Sequence, residues 1–221
     1  MAINTVIFDF DGTVINTNQV IINSWQYTYK AVRGREKPVE HIISSFGEPL
    51  HDTMKREFPD HDTDKVTSIY REYQAHHYKD MIELFPGMGE LIRGLSGHGY
   101  NVGIVTSRMR GTTLNGLNNF GLTEYIGNIV TCEDTDKHKP DPEPALIALR
   151  NFGVTADEAI MIGDSMYDIK CAHNAGMRAV LVGWAVAVSE EEKAGPDKPD
   201  CIIEKAEDLW AYLTSITDGK A

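Results

Sequence analysis

The chain has 221 residues, 42% of them hydrophobic, and a formal net charge of −12. That length suits one domain or two small ones around a sizeable core. The acidic excess argues against a broad nucleic-acid footprint or docking on an anionic membrane, since both need Lys and Arg gathered on one face.

The first predicted element is a strand over Thr5 to Phe8, a short apolar run that ends in Asp9-Phe10-Asp11-Gly12-Thr13. Alternate side chains of a strand share a face, so Asp9 and Asp11 would fall on the same side and repel one another without a cation between them. From about Asn18 to Ile82 the pattern turns helical, with Ile21, Trp25, Thr28 and Val32 in phase and many Tyr and His residues. Gly47-Glu48-Pro49 reads as a turn inside this insertion, and Phe85-Pro86-Gly87 as the return from it. Strands are then expected at Asn101 to Val105, Ile126 to Val130, Ala159 to Ile162 and Ala179 to Val182, separated by helical segments. One helix is well marked, with Pro142 and Pro144 at its start and Gly153 as its C-cap. Glu190-Glu191-Glu192 suits a helix start, and Gly195 to Pro199 a surface loop. The alternation favours an α/β fold: a doubly wound, Rossmann-like parallel sheet carrying a helical insertion. The division implied is a core of residues 1–15 and 84–221 with an inserted helical unit of residues 16–83.

Cys132, Cys171 and Cys201 lack CxxC spacing, which predicts neither a disulfide framework nor a zinc site. They suit a reducing, cytoplasmic setting. The start of the chain lacks the pattern of a signal peptide, and no apolar run approaches the roughly 18 residues of a membrane span. Neither nucleic acid nor a membrane is therefore expected as a partner, and the chain is expected to act as a monomer or homodimer.

In open parallel sheets ligands gather beyond the carboxyl ends of the strands. There the sequence puts Asp9 and Asp11 after the first strand, Thr106-Ser107-Arg108 after the second, Lys139-Pro140 in a loop after the third, and Gly163-Asp164-Ser165 after the fourth, with Asp168 one turn on. Oxygen-rich carboxylates with few nitrogen or sulfur ligands favour Mg²⁺, which together with Lys139 would relieve the repulsion between Asp9 and Asp11.

DFDGT at 9 to 13, Thr106 after GIV, Lys139 in KPDPEP and GDSMYD at 163 to 168 together resemble the four motifs of the haloacid dehalogenase superfamily of phosphohydrolases, across essentially the whole chain. The insertion resembles the mobile helical cap of its C1 branch. The resemblance implies that Asp9 is the nucleophile of an aspartyl-phosphate mechanism and that Asp11 is the general acid and base. It implies that Asp9, the Asp11 backbone carbonyl and Asp164 hold Mg²⁺, with Asp168 supporting the metal shell or Lys139. Thr106 and Lys139 would bind the phosphoryl oxygens. The aspartate at position 11 speaks against dehalogenation, since true dehalogenases of the superfamily lack it.

Asn16, the Phe46 to Thr53 loop, the Tyr70 to Tyr78 segment and KPDPEP resemble bacterial pyrophosphatases of this type and overlap with phosphoglycolate phosphatase-like enzymes. The expected partner is therefore pyrophosphate or another small phosphorylated molecule, contacted by Ser107, Arg108, Gly47 and Glu48 besides Thr106 and Lys139. Glu48 adds an anion to that loop and disfavours pyrophosphate if it points inward, unless a second cation, Arg71 or Arg108 compensates. A β-phosphoglucomutase-like phosphomutase, a sugar-phosphate phosphatase and a binding protein without turnover are the alternatives. Simpler roles are available too. Thr106 and Ser107 could cap a helix, while His76, His77, Trp25, Tyr27, Tyr29 and Cys171 suit packing rather than chemistry.

Overall fold

The computed structural model describes residues 2–217. Along the chain, β1 (Thr5–Phe8) leads through β2 (Ile15–Asn16) into α1 (Asn18–Arg33), α2 (Val39–Ile43), α3 (Leu50–Glu57) and α4 (Thr63–Met81). β3 (Glu83–Leu84) then pairs antiparallel with β2. The rest alternates: α5 (Met88–Gly97), β4 (Asn101–Val105), α6 (Arg110–Asn119), β5 (Asn128–Val130), α7 (Glu143–Phe152), β6 (Ala159–Gly163), α8 (Met166–Asn174), β7 (Arg178–Val182), α9 (Glu190–Ala194), β8 (Cys201–Ile203) and α10 (Asp208–Thr217).

β1 lies at the centre of a parallel six-stranded sheet ordered β5-β4-β1-β6-β7-β8, with Phe8 opposite Ile104 on one side and Ile162 on the other. Its four residues are all buried, because helices cover both faces of the sheet. Val6 and Phe8 point into a cluster with Leu91 and Ile92 of α5, Leu117 of α6 and Leu209 of α10. Ile7 points the other way, toward Ala148 and Leu149 of α7 and Ile169 and Ala172 of α8. The α/β doubly wound class expected from the alternation is the one observed.

β1, β4, β6 and β7 match the sequence expectations to within one residue, the short pair β2 and β3 was not anticipated, and two further strands differ for a physical reason. β5 begins at Asn128 rather than Ile126, because Thr123–Tyr125 winds into a 3-10 turn and the ladder starts only where Asn128 faces Gly103. β8 was not anticipated. It is three residues long at the sheet edge, with Ile202 partly exposed, so it carries little of the apolar signal of a buried strand. α7 has its Pro-rich start, and Gly153 closes it in the left-handed region at φ 70°.

Helices α1 to α4 have a core of their own, in which Trp25, Tyr29, Ile42, Met54, Phe58 and Tyr70 are buried together. Tyr27 differs from its expected packing role: it is 48% exposed and stacks on Tyr73. His76 and His77 each bond a carbonyl one turn back, and His77 stacks on Tyr73. On this basis we keep the division into residues 16–83 and residues 1–15 with 84–221 as a proposal. Residues 1 and 218–221 of that core lie outside the described residues. Among the described residues no helix is long and apolar enough to cross a membrane.

Candidate active site

β1 sits where the chain's path divides, with β4 and β5 to one side and β6, β7 and β8 to the other, and ligands bind at such a switch point in parallel sheets. Asp9 follows β1, Thr106 follows β4 and Asp164 follows β6. All three are almost fully buried. The turn after Asp9 depends on Gly12, whose φ is +78°. A Cβ there would lie 2.0 Å from an Asp164 carboxylate oxygen, so only glycine lets the two strand ends approach this closely. Trp184 ties the same turn down, its indole N–H donating to the Gly12 carbonyl at 3.1 Å.

Lys139 is buried between two carboxylates. Its Nζ donates to Asp9 Oδ1 at 2.6 Å and to Asp168 Oδ1 at 2.5 Å. Asp168 is fixed in turn by Ser165, whose N–H and hydroxyl both donate to Oδ2 in the capping box that starts α8. The like charges at Asp164 and Asp168 are therefore not a bare pair, since Asp168 serves the helix cap and Lys139 together. Burial pushes the Asp9 carboxyl up to about 7, although the Lys139 charge pulls the other way. Burial, reinforced by Asp168 and Asp9, holds Asp164 well above the usual carboxylate range. Burial works against the Lys139 charge, but the adjoining Asp168 and Asp9 outweigh it and raise its pKa.

Carboxylate oxygens of Asp9, Asp164 and Asp168 lie within 4.8 Å of one another. Asp164 accepts no hydrogen bond from any described residue. Three buried acids facing one ammonium group offer surplus negative charge and oxygen donors only, which suits a hard divalent cation such as Mg²⁺.

Thr106 and Ser107 cap no helix. α6 starts at Arg110, and Thr106 Oγ1 instead accepts the Arg108 N–H at 3.2 Å. Arg108 turns toward Asp11: its Nη1 donates to both carboxylate oxygens, at 2.9 and 3.1 Å, and the guanidinium lies over the Tyr78 ring at 4.1 Å.

These groups border a cavity of about 450 Å³ between the sheet edge and helices α1, α3 and α4. Ser107, Arg108, Gly47, Glu48 and Arg71 also line it. Glu48 is balanced by a cation that the sequence did not single out. Arg56 Nη1 donates to its Oε2 at 2.6 Å, and the Thr53 hydroxyl donates to the same oxygen at 2.8 Å. Arg108 is engaged by Asp11, so the compensation expected from Arg71 or Arg108 comes from the end of α3 instead. No local pattern marks Arg56 for that role, because the helix geometry, not the spacing along the chain, brings it to Glu48.

Residues 6–182 match the family model described as haloacid dehalogenase-like hydrolase. Pyrophosphatase PpaX of Bacillus cereus strain G9842 is 36% identical over 216 residues, covering 98% of this chain and 99% of its own. Pyrophosphatase PpaX of Halalkalibacterium halodurans is 35% identical over 209 residues, covering 95% and 96%. Among solved structures, a hydrolase from Pseudomonas syringae superposes with a TM-score of 0.81 at 25% identity, covering 96% of this chain and 99% of that one.

Proposed function

The chain belongs to the haloacid dehalogenase-like hydrolase family, and on that premise we propose that this hydrolase of phosphoric esters or anhydrides acts on inorganic pyrophosphate through Asp9. The observation that carries the chemistry is the buried trio of Asp9, Lys139 and Asp164 at the sheet edge. Near full-length similarity to pyrophosphatases supports the substrate, and the Arg56 partner of Glu48 removes the charge objection to it.

Lys139 occupies Asp9 Oδ1, which leaves Oδ2 to attack. As the Oδ2–P bond forms, the bridging P–O bond breaks, and the departing phosphate keeps the electron pair and takes a proton from Asp11. Water then attacks the phosphorus of the aspartyl-phosphate and gives a proton to Asp11, and Asp9 is released as a carboxylate. Thr106 and Lys139 bind the transferring oxygens, with Ser107, Gly47 and Glu48 around the rest of the substrate. Asp9, the Asp11 carbonyl and Asp164 would hold Mg²⁺, while Asp168 keeps Lys139 in place. The ion would supply positive charge to the phosphoryl oxygens. Three free cysteines among the described residues suit a cytoplasmic setting for this activity.

The test is phosphate release with Mg²⁺ from pyrophosphate, phosphoglycolate, hexose phosphates and an aryl phosphate. Pyrophosphate should be the best substrate, and Asp9→Asn should lose about 10³-fold or more in kcat. Preference for an ester would discard pyrophosphate while keeping the mechanism. Sugar-phosphate isomerisation dependent on a bisphosphate would favour the phosphomutase instead.

A further inference from the structure

Arg108 is held firmly yet used incompletely. Its side chain is 8% exposed, and of its three nitrogens only Nη1 bonds Asp11. The guanidinium carbon sits 4.1 Å from the Tyr78 ring centroid, a contact that leaves the Nε and Nη2 donors without a hydrogen bond. One of them, Nε, is buried with no acceptor among the described residues. A buried donor is costly when left unpaired, so the position calls for an acceptor. The cavity lining carries a second cation, Arg71 of α4, whose side chain makes no hydrogen bond or ion pair with another described residue. Two guanidinium groups therefore line the same cavity as Asp11, in a chain whose net charge is −12.

Asp11, as the acid and base, serves the oxygen that leaves phosphorus, so Arg108 stands on the leaving-group side. While Arg108 bonds both of its oxygens, Asp11 has its carboxylate tied to a cation. We propose that Arg108 is the recognition and positioning residue for a second anionic group on the substrate, the phosphate that departs, and that it passes from Asp11 to that group on binding. Asp11 is then released for proton transfer only when a doubly phosphorylated substrate is seated, with Arg71 adding charge beside it. A phosphate carries more charge than a carboxylate and matches the guanidinium fork in two parallel hydrogen bonds, which gives the exchange its direction. The proposal rests on the pyrophosphate reading and names the residue that makes it selective.

The experiment uses the full chain with Mg²⁺ and calorimetric binding of two non-hydrolysable probes, methylenediphosphonate and methylphosphonate. In parallel, kcat/KM is measured on pyrophosphate and on an aryl phosphate. Arg108→Gln should weaken methylenediphosphonate by about 30-fold, the scale of a lost charged hydrogen-bond pair, and methylphosphonate by much less. Its kcat/KM should fall about tenfold or more on pyrophosphate, while on the aryl phosphate, where Arg108 only holds Asp11, it should stay level or rise. Arg108→Lys, which keeps the charge should the glutamine variant fail to fold, should recover part of the diphosphonate affinity but not all of it. Equal losses on both probes, or full recovery of affinity by lysine with no penalty on pyrophosphate, would overturn the proposal. The two levels separate cleanly. A wild type that ignores pyrophosphate but shows an Arg108-dependent preference for the diphosphonate loses the substrate assignment and keeps the subsite. A wild type that hydrolyses pyrophosphate with equal probe losses in Arg108→Gln keeps the substrate and loses the subsite.

Discussion

Asp9 combines two demands that oppose each other: it must be buried to exclude solvent, and it must be ionised to attack. Its carboxyl sits at about 7 because burial outweighs the Lys139 charge. A cation held by Asp9 and Asp164 needs the unprotonated carboxylate, so below pH 7 the ion and the proton compete for Asp9. Mg²⁺ affinity measured by calorimetry should therefore rise with pH through that point, by up to about tenfold per unit on the acid side, with protons released on binding. Asp9→Asn should bind the ion more weakly and keep only the share of that pH dependence that the raised Asp164 carboxyl contributes, whereas an unchanged slope would assign the whole dependence to groups other than Asp9. At this scale the chain was readable where chemistry follows a strand end: Asp9, Thr106, Lys139 and Asp164 all meet where their positions along the sheet implied. Partnerships set by side-chain direction were not readable. Arg108 reaches Asp11 across 97 positions, and Arg56 rather than Arg71 meets Glu48.

The helices between β2 and β3 are bound into a unit by one carboxylate as well as by their apolar core. Glu57 at the end of α3 accepts from the Tyr29 hydroxyl of α1 at 2.7 Å and lies 2.9 Å from His41 Nε2 of α2. Burial raises its pKa, but the Tyr29 and His41 hydrogen bonds outweigh that and hold it below the ordinary 4.5. A carboxyl depressed on folding stabilises the native state above its unfolded pKa, and that contribution is lost as pH falls through the folded value. Glu57→Gln should thus cost about 1–3 kcal/mol at pH 7, with the difference from wild type shrinking below about pH 4.5. Urea unfolding at both pH values checks it, and a penalty unchanged by acid would locate the effect in packing rather than charge. None of this network was visible in the sequence, where the helical phase of Ile21, Trp25, Thr28 and Val32 marked α1 but not its partners. The sheet was easier, since β1, β4, β6 and β7 are continuous apolar runs buried on both faces. β8 escaped because an edge strand of three residues needs no such run.

Across the whole molecule the decisive contact is between the proposed helical cap and the core, and it runs through a residue with no side chain. Gly47, in the loop between α2 and α3, has φ +85°, and a Cβ there would lie 2.8 Å from the Ser165 Cβ and Oγ and 2.9 Å from Tyr167. Ser165 is the residue that caps α8 and orients Asp168, so the loop closes directly onto the structure that holds Lys139. Closure of this kind excludes water and completes a site, so forcing the seam apart should act on turnover more than on stability. Gly47→Ala meets both obstacles, a backbone conformation that L-residues resist and a clash with the core. Gly47, Ser165 and Tyr167 belong to none of the three apolar clusters, although their neighbours Phe46 and Met166 pack against two of them. The variant should therefore lose about tenfold in kcat/KM on the preferred substrate while its Tm moves by only a few degrees. Steady-state kinetics beside a thermal melt separate the alternatives. Full activity would mean that the loop need not touch Ser165 during turnover, and a collapse in Tm would make Gly47 a folding requirement instead of part of a closing seam.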